Sequence, residues 1–142
     1  MRFVVLIKGN EQSEAGVMPT EQEFADMGKF NEQLVKAGVM LAGEGLQPSS
    51  QGVRIDYSGG RPRVIDGPFA EAKELVAGFW ILQLRDQDEA IEWLKRAPFA
   101  DGRVEIRQIS EPQDLGESFT PELREAEDRM RKEIEKQGGQ AS

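Results

Sequence analysis

The residues of this chain that could carry chemistry are carboxylates with a few basic partners, because the sequence holds no histidine and no cysteine. Without cysteine there are no disulfides, thiolate nucleophiles, iron–sulfur clusters or thiolate zinc sites. Without histidine the usual neutral-pH base, the commonest transition-metal ligand and the usual proximal haem ligand are gone. Proton transfer falls to Asp, Glu, Lys, Tyr or Arg. A protein-held metal would be a hard cation on oxygen, and no spacing singles out such a set. The sharpest local motif is Asp66-Gly67-Pro68-Phe69. In one reading Asp66 is a general base or ligand-binding carboxylate at a strand end, with Phe69 beside it. In the other, Asp66 accepts backbone N–H groups in a turn, and Gly67 supplies backbone freedom. Pro68 then restricts the chain and Phe69 anchors the turn in the core. The ordinary turn roles of these types favour the second reading.

Lys73 and Glu74 follow with Glu71, and Glu74 joins Phe69 as a candidate ligand-binding residue. Lys73 could bind an anion or lower the pKa of a neighbouring carboxylate, or be half of a surface ion pair of little weight. Glu44 lies between Gly43 and Gly45. These glycines would permit a bulge or a close approach of a ligand or second backbone. A carboxylate there is either an acid–base group in an intersheet space or a solvated side chain on an edge. Tyr57 and Arg63, with Arg54, could line a pocket for an acidic or phenolic ligand, although alternation turns Arg54 outward. Phe79, Trp80 and Trp93 read as packing residues. No Walker or dinucleotide pattern is present, so no nucleotide cofactor is expected.

Elements that would position these residues follow from periodicity. Phe3 to Ile7 is an apolar strand. A polar loop follows it. Thr20 with Glu23 is a capping box, and Phe24, Met27, Phe30 and Leu34 make one helical face closed by Gly38. Val39 to Leu46 is a strand interrupted by glycine. Val53, Ile55 and Tyr57 alternate with polar residues, Ser58-Gly59-Gly60 turns, and Arg61 to Asp66 returns. Leu75 to Leu84 is a strand apolar on both faces. Asp86 with Glu89 starts a helix with Ala90, Ile91, Leu94 and Ala97 buried, and Pro98 ends it. Val104 to Arg107 is the last strand. Thr120-Pro121 opens a C-terminal helix with a narrow stripe of Leu123, Met130 and Ile134.

The order strand, helix, strand, hairpin, strand, helix, strand predicts an α+β fold, a ferredoxin-like core with an inserted β-hairpin plus a C-terminal helix. That topology places Phe3–Ile7 and Leu75–Leu84 at the sheet centre. Both are apolar on both faces, so a second copy of the sheet is the expected cover, and the chain is expected to be a homodimer. The 142 residues divide into a domain over 1–112 and an extension over 113–142. Hydrophobic residues at 38% suffice for one core, and a net charge of -8 disfavours nucleic acid and anionic membrane as partners. No signal peptide or transmembrane stretch is evident, which predicts a cytoplasmic protein.

Asp66-Gly67-Pro68-Phe69-Ala70-Glu71-Ala72-Lys73-Glu74-Leu75 resembles the signature of the DGPF-domain proteins within the YCII-related family. The likeness continues in Ala42-Gly43-Glu44-Gly45-Leu46-Gln47-Pro48, Ala77-Gly78-Phe79-Trp80-Ile81 and Glu89-Ala90-Ile91-Glu92-Trp93. It runs on through Gly102-Arg103-Val104-Glu105-Ile106-Arg107 and Phe119-Thr120-Pro121-Glu122-Leu123-Arg124. The resemblance implies a dimeric α/β barrel, two subunits whose sheets face each other around a small pocket. Some similar proteins are enzymes with a His–Asp pair, which this histidine-free chain cannot form. Proximity of similar genes to sigma factors implies a regulatory or accessory role. The first expectation is therefore a homodimeric small-molecule-binding or accessory protein without a cofactor. The alternatives are a cofactor-free lyase or isomerase on a small aromatic or enolisable metabolite, using Asp66 or Glu44 with Lys73, and a structural interaction module.

Overall fold

The structure, a computed structural model, describes residues 1–71 and 74–138. The chain forms two compact units, Met1–Ile109 and Ser110–Ser142. The first contains β1 (Arg2–Lys8), α1 (Glu11–Glu14), α2 (Glu21–Lys36), β2 (Met40–Gly45), β3 (Val53–Asp56), β4 (Arg63–Asp66), β5 (Val76–Gln83), α3 (Gln87–Lys95) and β6 (Val104–Gln108). The second contains α4 (Pro121–Gly138).

Four strands make an antiparallel sheet in the order β2-β5-β1-β6, with β5 and β1 at the centre. Alternation sends Phe3, Val5, Trp80 and Leu82 to one face, where they are buried with Phe30 and Leu34 of α2 and Ala90 of α3. Val4, Leu6, Phe79 and Ile81 point to the other face and are half-buried. β3 and β4 form a separate two-stranded sheet that pairs Val53 with Asp66 and Asp56 with Arg63.

Helix ends follow their local chemistry. The Thr20 hydroxyl accepts the Glu23 N–H at 3.1 Å. Gly38, at φ +72°, closes α2 as the Val39 N–H reaches the Leu34 carbonyl at 3.1 Å. The Asp86 carboxylate accepts the Glu89 N–H at 2.9 Å. That backbone hydrogen bond, opposed by desolvation and helped less by Arg85, holds the Asp86 carboxyl below its ordinary value of 3.8. A lowered carboxyl stabilises the fold above its unfolded pKa, and that contribution is lost as pH falls through the lower folded value. Asp86→Asn should therefore narrow the stability gap between pH 5 and pH 2. Urea midpoints of the two proteins across that window check this, and an unchanged gap refutes it.

The structure departs from the periodicity in particular places. Phe24 is 58% exposed although it lies on the predicted buried stripe, and Ile91 is 36% exposed. The polar loop after β1 contains α1, capped reciprocally by Asn10 and Ser13. The Arg61–Asp66 strand starts at Arg63. Strand β5 starts at Val76, after a turn in which the Glu74 N–H donates to the Glu71 carbonyl at 2.9 Å. Glu71 itself sits at φ +65°. The irregularity in β2 lies between Met40 and Ala42, not at the glycines that flank Glu44.

In the second unit the Thr20 pattern recurs at Thr120, whose hydroxyl accepts the Leu123 N–H at 3.3 Å. Leu123, Met130 and Ile134 are exposed along α4.

Candidate functional site

One concavity of the first unit lies where side chains are missing. Gly43 and Gly45 on β2 and Gly78 on β5 occupy the helix-facing positions at one end of the sheet, with Gly45 paired to Gly78 and Gly43 to Trp80. Together they form a floor without side chains, open above Gly45. The first turns of α2 arch above it and bring Phe24 and Met27, with Phe99 from the segment after α3. The resulting cavity measures about 420 Å³, within the range of small-ligand pockets. Glu23, Pro19, Pro98 and Asn31 also border it.

Two of the three floor glycines have a steric reason. A Cβ on Gly43 would stand 2.8 Å from Cδ1 of Trp80, so the indole lies directly on that backbone. A Cβ on Gly78 would stand 2.9 Å from the Glu44 carbonyl oxygen. Gly45 has open space where a Cβ would go. The Trp80 ring is held edge-on by Phe30 at 5.7 Å and Phe99 at 6.1 Å, and its Nε1–H donates to Asn31 Oδ1 at 2.9 Å. Asn31 keeps its amide nitrogen as a donor.

Glu44 is a neighbour of this cavity with a restricted role. It pairs with Phe79, so alternation turns its side chain to the face opposite Trp80, and it meets the cavity through its main chain. It is exposed. The two glycines beside it are explained by the Trp80 ring and the cavity floor, rather than by a bulge.

Asp66 ends β4 opposite Val53 and is exposed. No hydrogen bond or ion pair joins it to Glu44 among the described residues. The turn after it is held by other groups. The Gly67 N–H donates to the Gly52 carbonyl at 3.0 Å, and the Phe69 N–H donates to Ser49 Oγ at 3.0 Å. Ser49 in turn donates its hydroxyl to Glu14 Oε2 and its N–H to Glu14 Oε1 at 3.1 Å. Ser49, not Asp66, is the acceptor that ties down Phe69. Glu14 and Ser49 carry no local sequence signal for this, since they meet across 35 residues.

Phe69 is half-buried outside the core, with the Arg54 guanidinium 3.9 Å above its ring. That corrects its expected place as a core anchor: the apolar ring is covered by a cation instead. Arg63 donates to Asp56 Oδ2 at 2.8 Å. The Ser58 hydroxyl and N–H, then Arg63, hold the Asp56 carboxyl below its ordinary value. Arg63 is thus engaged within the hairpin. Tyr57 is exposed at the hairpin turn, and Glu74 is exposed before β5. Glu71 borders a second, open cavity of about 600 Å³ with Lys8 and Arg103. Lys73 lies outside the described residues. Among the described residues, the expected site residues therefore do not share one cavity. The residues that do form a cavity are Phe24, Met27, Asn31, Trp80 and Phe99, and periodicity assigns them to helix or core positions or passes over them. The signal that could have found them is the trio of glycines facing an aromatic residue across paired strands. No group of His, Cys, Asp or Glu among the described residues is arranged to hold a metal ion. No helix among them is long and apolar enough to cross a membrane.

An uncharacterised protein of Rhizobium meliloti (strain 1021) is 29% identical over 115 residues, covering 78% of this chain and 93% of its own. A solved structure of 5-chloro-2-hydroxyhydroquinone dehydrochlorinase from Burkholderia phenoliruptrix AC1100, in complex with 2,5-dihydroxybenzoquinone, is 18% identical. The match covers 80% of this chain and 99% of that one, with a TM-score of 0.38. The YCII-related domain matches residues 1–113, and the chain belongs to that family.

Proposed function

We propose that this YCII-related protein binds a small, largely apolar molecule in the cavity between α2 and the glycine floor of β2 and β5. The observation that carries the reading is a cavity lined by Gly43, Gly45 and Gly78 beneath aromatic walls, with open space over Gly45. Two of these glycines are required by close contacts, whereas Gly45 faces space that a side chain could have filled without collision. Leaving that space empty costs packing, which a ligand's contacts would restore. The protein acts as a homodimer in this proposal, with a second copy covering Val4, Leu6, Phe79 and Ile81 on the other sheet face. Regulatory or accessory use fits a binding site whose carboxylates are not brought together for proton transfer.

Native mass spectrometry of the full chain, before and after adding a mixture of small aromatic metabolites, tests the proposal. A dimer retaining an added mass is expected. Gly45→Val should fold, since nothing lies within 4 Å of the new Cβ, yet lose the added mass because its side chain fills the floor. Equal retention by this variant, or no retention by the wild type, overturns the assignment of the cavity. A persistent monomer overturns the dimer.

A further inference from the structure

The cavity's charge is one-sided. Its ionisable neighbours are Glu23 and Glu44, and no lysine or arginine borders it among the described residues. Glu23 stands on the first turn of α2, at the rim, with one carboxylate oxygen 3.2 Å from the Thr20 hydroxyl. Glu44 lies behind the floor strand. The walls are aromatic, from Phe24, Trp80 and Phe99, and an aromatic face attracts a cation that comes within about 6 Å of its centroid. The surrounding chain carries a net charge of -8, which raises the local concentration of cations and lowers that of anions.

We infer that the cavity selects an organic cation, a primary or quaternary ammonium carried on a small apolar or aromatic body. The body fills the space over Gly45, and the ammonium lies between the aromatic walls and the Glu23 carboxylate. The amide nitrogen of Asn31 is available to a hydroxyl or carbonyl oxygen on the same molecule. A carboxylate of the same shape finds no cation to pair with and meets like charge at the rim. This inference deepens the binding proposal above and rests on it.

The test uses three probes of similar shape, 2-phenylethylammonium, 2-phenylethanol and phenylacetate, titrated into the full-length chain by calorimetry. The cation should bind about tenfold tighter than the alcohol, and phenylacetate weakest. Glu23→Gln keeps the capping arrangement, because its main-chain N–H still donates to Thr20, and removes only the charge. It should weaken the cation about threefold and leave the alcohol unchanged. Equal affinity for all three probes, or a cation affinity untouched by Glu23→Gln, overturns the selectivity while the cavity stands. If none of the three binds, and benzyltrimethylammonium also fails, the cavity assignment falls with it.

Discussion

Gly67→Ala is expected to destabilise the first unit by about 3 kcal/mol, at the upper end of the usual cost of overpacking. A Cβ at this position would stand 1.8 Å from the Ser49 carbonyl oxygen and 2.7 Å from its carbonyl carbon. Both atoms are main chain, so no rotamer change relieves the collision. Ser49 cannot retreat freely either, because it is bonded to Glu14 and receives the Phe69 N–H. The consequence is a choice between strain and detachment of the turn that follows β4. Urea unfolding measures the first, and hydrogen exchange at the amides of positions 67 and 69 measures the second. Gly45→Ala is the control, since it meets nothing within 4 Å. Equal stability of the two variants would refute a steric requirement for glycine in the Asp66-Gly67-Pro68-Phe69 turn.

Trp80→Ala should cost about 4 kcal/mol, the range for deleting a large aromatic side chain from a core. Trp80 is 3% exposed and packs edge-on against Phe30 and Phe99. Its loss also leaves Asn31 Oδ1 without its donor. Trp80→Phe separates these contributions. It retains an aromatic ring but removes the indole N–H, and should cost about 1 kcal/mol for the hydrogen bond beyond the reduced packing. If both variants are equally unstable, the hydrogen bond dominates and ring packing does not hold the aromatic wall. Chemical denaturation followed by far-UV circular dichroism compares them without relying on tryptophan emission.

The elements with strong local instructions were legible. Phe3 and Val5 alternate with Val4 and Leu6, so the strand is visible from its period. Thr20 and Asp86 announce helix starts because their side chains satisfy N–H groups three residues ahead. Gly38 announces a stop because it adopts a positive φ. The central placement of β1 and β5 followed from topology together with their apolar character. Phe24 shows the limit of this reasoning. Its spacing matches Met27, Phe30 and Leu34, but periodicity reports which residues share a face, not how far the opposing surface extends. Beyond Phe30 the sheet offers Gly43, Gly45 and Gly78, so Phe24 faces a gap.

The candidate site was less legible because its contacts join distant segments. Asp66 looked like a turn acceptor from its own tetrapeptide, yet the Phe69 amide goes to Ser49, and Ser49 is held by Glu14. Glu44 drew attention through its two glycine neighbours, whose reason is Trp80 and the cavity across the strand pair.

By itself, the sequence determined the types of the main strands and of α2, α3 and α4, the starts of those helices and the exclusion of histidine and cysteine chemistry, because each depends on residue identity or on neighbours a few positions away; α1 it read as a polar loop. Only the tertiary structure decided which side chains share a space. It set Trp80 on Gly43, opened the floor at Gly45, and bound Glu14 to Ser49. These outcomes depend on the register of β2 against β5 and on where loops cross, quantities set by the packing of the whole unit rather than by any local run of residues.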